Sequence, residues 1–357
     1  MKTKKKYSYN PDYAIPPGET VREVMESYGM AQNELAIRLG TTVQTLNRIF
    51  KGEQPISYET ANRLEMVTGT PAKFWNNLES NYQEQLAKIA EKKRMESDLK
   101  WMREIPVTEL IARGAVIKEK EPVDQLREIL KFYGVSSVQA WFGIWEQPEV
   151  AARRPACFET CPGPASAWIR LGEIQAHERN CKPFDKNKFK DVLQKIRVLT
   201  KELPQVFEQK LINYCVECGV ALAFVKEMKK VPWNGATKWL SPDKAMILLN
   251  LRGKQEDKFW FSFFHEAGHI LHDSKKDLLI NDGSKEDPRE VRAEDFAAET
   301  LIPSTYNTKI SLAKKDCEIR NIADDLGVSP GIVVGRFHYL TKKWNLFNKL
   351  ITKLDWA

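Results

Sequence analysis

The chain has 357 residues, with 55 Lys and Arg against 48 Asp and Glu and a formal charge of +7. Apolar residues at 42% and charged residues at 29% exclude a wholly disordered chain, and the length allows two or three domains. A pI near 8.9 permits a nucleic-acid partner without arguing for one. No run approaches the roughly 18 to 20 apolar residues of a membrane-spanning helix. The basic start, MKTKKKYSYNPDY, has no apolar segment behind it and does not read as a signal peptide. Six cysteines are too few for a disulfide scaffold, so the expected compartment is the reducing cytoplasm.

Residues 1–17 read as a tail, in which Lys2, Lys4, Lys5 and Lys6 precede Asn10-Pro11 and Pro16-Pro17. From Glu19 the apolar period becomes 3.6. Val21, Val24 and Met25 share one face, Leu35, Ala36 and Leu39 a second, Leu46, Ile49 and Phe50 a third, and Ala61, Leu64 and Val67 a fourth. Breaks at Gly29, Gly40, Gly52 to Pro55 and Gly69 to Pro71 predict four or five short helices, ending near Tyr82. The polar stretch from Gln83 to Arg103 reads as a linker helix, or as a contact between two copies along Leu86, Ile89, Ala90 and Leu99.

The middle of the chain, Ile105 to Pro204, is punctuated by prolines and predicted to be helical, with amphipathic periods at Val123 to Phe132 and Phe189 to Leu199. Trp141, Trp145 and Trp168 read as core, or else as the wall of a substrate groove. Val206 to Cys218 predicts a helix. Val220 to Val225 and Ala245 to Leu249 read as strands, with Asn234-Gly235 as a turn, giving a small antiparallel sheet before a helix from about Phe259. After Val291 the chain is helical again, with a break at Gly327 to Gly331.

Within Met30 to Phe50 two short helices meet at Gly40, where glycine takes a tight turn without steric cost, and Ala36 permits a close crossing. Val43, Leu46, Ile49 and Phe50 would bury one side of the second helix and leave Gln44, Thr45, Asn47 and Arg48 exposed. These are base-edge and phosphate-binding side chains: Gln suits adenine, Arg guanine or phosphate, Thr either edge type. Arg38, Arg48 and Lys51 lie in a span free of acid between Glu34 and Glu53. A protein-interaction module with the same turn is the competing reading.

The stretch from Pro17 to Tyr82 resembles the helix-turn-helix domain of the HigA family of antitoxins, within the Xre-type repressor group. The similarity lies in PPGE, QNELAIRLG, GEQPISYETANRLEMVTGTPAKFW and NLESNY. It implies a recognition helix of about Thr42 to Phe50 carrying Gln44, Thr45, Asn47 and Arg48, with Gln32 near the phosphates. It also implies a homodimer on a palindromic, double-stranded operator. Lys2 to Lys6 would add salt-dependent attraction to phosphates.

Further along, Phe264-His265-Glu266-Ala267-Gly268-His269 is an HExxH sequence. Residues four apart on a helix share a face, so His265 and His269 can offer two imidazoles to one Zn²⁺. Glu266 stands where it can take a proton from metal-bound water. Three of the five histidines fall within Phe264 to Asp273, which argues against chance. Position 275, where a longer zinc motif has its third histidine, is Lys. His272 reads as an outer or helix-end partner, and the third ligand should be a carboxylate from Glu286, Asp287, Glu290, Glu294 or Asp295. Glu290 and Glu294 share a face of an Ala-rich helix, so that one can bind metal while the other orients an imidazole.

Residues from about Phe207 to Leu301 resemble the ImmA/IrrE-type metallo-endopeptidases, in NGATKWLSPDKAMILLNLR, FWFSFFHEAGHILH and the run from Glu290 to Pro303. The resemblance implies His265, His269 and Glu290 as zinc ligands. The family commonly has a further His where this chain has Asp273, so no fixed role attaches to that position. Ala156 to Pro204 and Asp325 to Arg336 also look like antitoxin–peptidase fusions of this kind.

The expected fold is mostly α, in the α+β class. A tail (1–17) precedes a five-helix helix-turn-helix domain (18–82), a linker helix (83–104) and a helical middle region (105–205). A zincin-like core with a small antiparallel sheet and the HExxH helix (206–305) is followed by a C-terminal helical lid or extension (306–357). Peptide hydrolysis develops a negative oxygen, and His338, ahead of Tyr306, Arg336 and Tyr339, is the expected donor opposite Glu266. Cys215 and Cys218 form a CxxC that reads as packing rather than metal or redox chemistry, and Cys157 and Cys161 do not complete a site with them.

The expected function is a transcriptional regulator carrying a zinc endopeptidase that cleaves a repressor, a co-encoded toxin or itself. The rival is a DNA-binding antitoxin or repressor whose peptidase-like domain is structural or sensory. A third reading makes the front domain a protein-docking module only.

Overall fold

The computed structural model describes residues 13–145, 162–275, 279–280 and 287–356. The expectations for Lys2 to Lys6, for Cys157 and Cys161 and for Glu286 fall outside them. The chain divides into two compact units, Met1–Lys100 and Trp101–Ala357.

The first unit contains α1 (Pro17–Ser27), α2 (Gln32–Arg38), α3 (Val43–Phe50), α4 (Tyr58–Thr68) and α5 (Ala72–Asp98). Local chemistry sets their ends. Pro17 occupies the first turn of α1, where its missing N–H costs nothing, and Thr42 and Ser57 cap α3 and α4. Gly69 ends α4 in the left-handed conformation, φ 71°. The apolar faces meet in one core that includes Val21, Leu35, Ala36, Leu46, Ile49, Phe50, Leu64 and Trp75. A Cβ on Gly18 would lie 2.0 Å from the Ile49 carbonyl oxygen, so glycine there lets α1 cross α3. One uninterrupted helix, α5, runs through Tyr82, where the sequence suggested a domain end and then a separate linker helix. With neither Gly nor Pro between Ala72 and Asp98, nothing local stops it.

The second unit begins with α6 (Val107–Ala112), α7 (Pro122–Tyr133) and α8 (Val138–Trp145), and continues with α9 (Pro162–Glu178), α10 (Lys186–Val198) and α11 (Pro204–Val216). Strands β1 (Val220–Phe224), β2 (Gly235–Ser241) and β3 (Lys244–Leu249) follow. Then come α12 (Glu256–His272), β4 (Leu279–Ile280), α13 (Pro288–Leu301), α14 (Asn307–Ser311), α15 (Asp316–Leu326) and α16 (Pro330–Thr341). Of the two readings for Trp141, Trp145 and Trp168, core holds, since all three are buried.

The strand order is β1-β3-β2-β4. The sheet is mostly antiparallel, as expected, through β2, which pairs so with β3 and β4 and was not among the strands read from the sequence; the two strands that were, β1 and β3, lie parallel to each other. The chain leaves β1, passes the place β3 will take, returns along β2 and turns back at Pro242-Asp243, so β3 regains the direction of β1. Asn234-Gly235 is therefore not the hairpin turn; Gly235 is the first residue of β2. Side chains alternate across the sheet. Leu248 and Lys238 face α9, where Gly172 leaves room for Leu248 and Glu173 pairs with Lys238. Thr237 faces α12. The sheet lies between these two helices. Trp260, Phe263 and Phe264 of α12 are fully buried, and burial of such side chains is worth about 1.5 to 3 kcal/mol each.

The C-terminal helices share this core through Ile310, Ile319, Ile322, Val333, Val334 and Phe337. Gly331 and Gly335 let α16 sit against Glu256 and Asp257 in the first turn of α12.

Candidate metal centre and nucleic-acid interface

The HExxH segment occupies the last half of α12, where His265 and Glu266 are 0% and His269 1% exposed. Asp287 caps α13 by accepting from the Arg289 N–H at 2.8 Å, with Pro288 next in the first turn. The two helices cross closely because Gly268 and Ala293 face each other: a Cβ on Gly268 would lie 3.3 Å from Ala293 Cα. That approach carries Glu290, 4% exposed, to the two imidazoles.

His265 Nε2 and His269 Nε2 lie 3.0 Å apart. Glu290 Oε2 is 3.1 Å from the first and Oε1 is 3.3 Å from the second. Two nitrogens tetrahedrally bound to one Zn²⁺ lie ~3.3 Å apart. One ligand atom from each of the three residues falls within 4.8 Å of the others, and no other such group occurs among the described residues. Two imidazoles and a carboxylate are the donor set of a zinc ion that keeps one position open. The charge balance also asks for a cation. Burial works against the Glu290 charge, yet the two histidines hold its carboxyl below the usual range. Burial likewise opposes charge on His269, but the Asp273 and Glu290 carboxylates outweigh it and raise the imidazole to about 10.

Glu266 is not one of the three ligand residues, although its carboxyl feels the charges of all three. Its Oε2 accepts from Thr237 Oγ1 at 2.7 Å, while Oε1 is buried without a hydrogen-bond partner among the described residues. Burial is the main cause of a raised carboxyl pKa, against the pull of His265, His269 and Thr237. Gly235 lies directly beneath: a Cβ there would come within 2.5 Å of Glu266 Oε1.

The structure brings together His265, Glu266, His269 and Glu290, but not the other residues expected near them. His272 is exposed and packs edge-on against Phe296, 5.4 Å between ring centres. Glu294 is half-buried and outside the ligand group, while Asp295 is exposed. His338 is buried elsewhere, its Nε2 donating to the Leu346 carbonyl at 2.7 Å. It belongs to α16, which meets the first turn of α12, and Asp257 there is about 12 Å along the axis from His265. The expectation that His338 faces Glu266 is therefore corrected: the contacts of α16 fall on the wrong end of the helix.

Four residues around His269 and Glu266 had no role at the site in the sequence. Asp273 is one: its Oδ2 meets His269 Nδ1 at 2.7 Å, and Oδ1 accepts from Arg292 on α13. The i,i+4 spacing from His269 was an available signal. Arg292, Thr237 and Gly235 had none, because their roles depend on how α12 meets α13 and β2. Cys215 and Cys218 are buried free thiols whose pKa values burial pushes up, as packing cysteines should be.

In the first unit, α3 buries Leu46, Ile49 and Phe50 and leaves Gln44, Asn47 and Arg48 exposed, with Thr45 half-buried and Lys51 exposed beyond its end. Thr42 Oγ1 accepts from the Thr45 N–H at 3.1 Å, so that hydroxyl caps the helix. Gln32 Nε2 donates to Asn47 Oδ1 at 2.6 Å and ties the start of α2 to the outer face of α3.

Comparison with known proteins identifies both ends. Residues 21–75 match the helix-turn-helix family and residues 224–338 the IrrE N-terminal-like domain, a peptidase family. Among solved structures, antitoxin HigA of Pseudomonas aeruginosa with the higBA promoter is 34% identical, over 24% of this chain and 94% of that one, TM-score 0.22. A HigA-family addiction-module antidote protein of Coxiella burnetii is 32% identical, over 24% and 92%, TM-score 0.22. A Pseudomonas aeruginosa protein in complex with its operator DNA is 33% identical, over 24% and 94%, TM-score 0.22. No curated protein matches the chain. Among the described residues no helix is long and apolar enough to cross a membrane. With sequence identity and both family matches carrying the assignment, the chain belongs to the HigA/Xre-type helix-turn-helix proteins through its N-terminal region, fused to an IrrE/ImmA-like peptidase-family domain with a candidate three-ligand metal site.

Proposed function

We propose that the chain is an operator-binding regulator of antitoxin type whose C-terminal domain is a zinc-dependent endopeptidase. Its substrate is a peptide bond in a co-encoded repressor or toxin, or in the chain itself. One observation carries the reading: next to His265 on the helix that offers two of the three converging ligand atoms, the buried Glu266 Oε1 has no hydrogen-bond partner among the described residues. His265, His269 and Glu290 would hold the zinc, which when bound supplies Lewis acidity and a water acidic enough to ionise near neutral pH. Glu266 accepts the proton at Oε1, and its burial makes the carboxylate a stronger base than an exposed one. Thr237 fixes the carboxylate through Oε2, and Gly235 leaves the space it occupies.

At the other end, Gln44, Asn47 and Arg48 would enter the major groove of a palindromic operator as part of a homodimer, with Thr45, Gln32, Thr42 and Lys51 near base edges or phosphates. The operator complex of the 33% identical Pseudomonas aeruginosa protein supports this reading. The rival, a sensory or structural metal domain, is favoured by His338 lying outside the site, since that removes the expected oxyanion donor. Incubating the zinc-loaded protein with each co-encoded protein tests the choice. Cleavage that vanishes in Glu266→Gln supports the peptidase; intact partners together with zinc-dependent repression in cells support the rival.

A further inference from the structure

The loop after α16 is strained, pinned and positively charged. Lys342 and Phe347 both adopt left-handed backbone, φ 59° and 63°, which non-glycine residues usually avoid. Three contacts hold the loop there. His338 Nε2 donates to the Leu346 carbonyl at 2.7 Å, the His338 ring lies 5.6 Å from the Trp344 ring, and Phe347 packs on Phe337 at 4.9 Å. The buried His338 thus serves as the post on which the loop is mounted.

This support holds apolar groups in water. Trp344 is 61% exposed, Tyr339 62% and Leu346 40%. The segment itself carries charge of one sign: Tyr339 to Leu354 contains Lys342, Lys343, Lys349 and Lys353 and no Asp or Glu, the next acids being Asp355 in sequence and the half-buried Asp257, which packs against Gly335. A rigid, exposed Trp is the commonest kind of binding anchor, because little side-chain entropy remains to be lost when a partner covers it. Lysines around it would meet acidic groups at the rim.

We infer that this loop docks an acidic, apolar-containing peptide segment of a partner protein, with Trp344 and Leu346 as anchors and Lys342 and Lys343 as charge partners. Stacked bases are the poorer occupant. Lys342 Nζ already sits 4.5 Å from the Tyr339 ring centre, and His338 backs Trp344, so the two rings do not offer a pair of open platforms. The surface stands apart from the metal ligands, and its occupancy does not depend on whether the proposed peptidase turns over.

The test uses the full chain, with and without zinc, and a fluorescent synthetic peptide of alternating Glu and Leu. Anisotropy should show saturable binding in both states. Trp344→Ala should weaken it about tenfold or more, and the pair Lys342→Gln and Lys343→Gln should weaken it and flatten its salt dependence. A matched Glu–Ser peptide should bind more weakly. The pair Lys186→Gln and Lys190→Gln on α10 should change nothing, and unchanged thermal unfolding would show that the exposed substitutions leave the fold intact. Three results would overturn the inference: no peptide binding, equal loss in the α10 pair, or an oligo(dT) strand that binds the same residues more tightly than the peptide.

Discussion

Asp273 Oδ2 lies 2.7 Å from His269 Nδ1, and the other oxygen of the same carboxylate accepts from Arg292. Asp273 follows the end of α12, Arg292 belongs to α13, and each helix carries part of the candidate metal group. One buried carboxylate thus fixes the orientation and tautomer of an imidazole while joining the two helices that must stay in register. Losses of such outer partners typically cost about 10- to 100-fold in metal affinity. Asp273→Asn should therefore weaken zinc binding by that factor, and Arg292→Ala by less, because half of its side chain is in water. Competition against a chromophoric chelator measures both, and an unchanged affinity in Asp273→Asn would remove the carboxylate from this role.

Loss of a ligand should be more severe. His269→Ala leaves two ligands and should lose most of the zinc by elemental analysis, and unaltered stoichiometry would refute the ligand set. Metal removal also exposes a pH dependence with a definite sign. In the metal-free protein His269 is raised from 6.5 to about 10, so its protonation stabilises the fold below about 6.5, and that contribution is lost as pH rises through 10. The melting temperature of the chelated protein should fall across this window. The zinc-loaded protein should not show this fall, because the metal replaces the proton between the carboxylates.

Glu266→Gln preserves volume and removes the proposed base. Cleavage of the true partner should fall by roughly 10²- to 10⁴-fold with zinc content and operator binding intact. Wild-type cleavage by the Gln variant would mean that another group takes the proton.

Gly235→Ala tests the space beneath Glu266. The new Cβ would come within 2.5 Å of Oε1, so the carboxylate must move. A displacement of about 1 Å can cost 10²-fold in rate, and a loss of that size with zinc retained is expected. Equal losses of zinc and cleavage would show that β2 supports the ligands as well as the base.

Arg48→Ala addresses the other end of the chain. A good bidentate base contact is worth about 1 to 3 kcal/mol of discrimination. The variant should lose preference for operator over scrambled DNA more than it loses non-specific binding. Full preference in a competition titration would show that α3 is not the reader.

Much was legible from the sequence alone, because it depended on spacing within a single element. The four-residue interval of His265 and His269 puts both on one helical face whatever surrounds them. The same period separates buried Leu46, Ile49 and Phe50 from exposed Gln44, Asn47 and Arg48. Tertiary structure decided everything that requires two elements to meet. Glu290 and Glu294 are equivalent by periodicity, and only the close crossing at Gly268 and Ala293 brings the first to the imidazoles. Nothing in the sequence around His338 keeps it from the site; the packing of α16 against the opposite end of α12 does. Gly235 resembled a turn because its sequence neighbours cannot show that Glu266 needs the volume a Cβ would take. A local pattern repeats with the geometry of its own backbone, whereas the distance between two elements is set by the shape of the core packed between them.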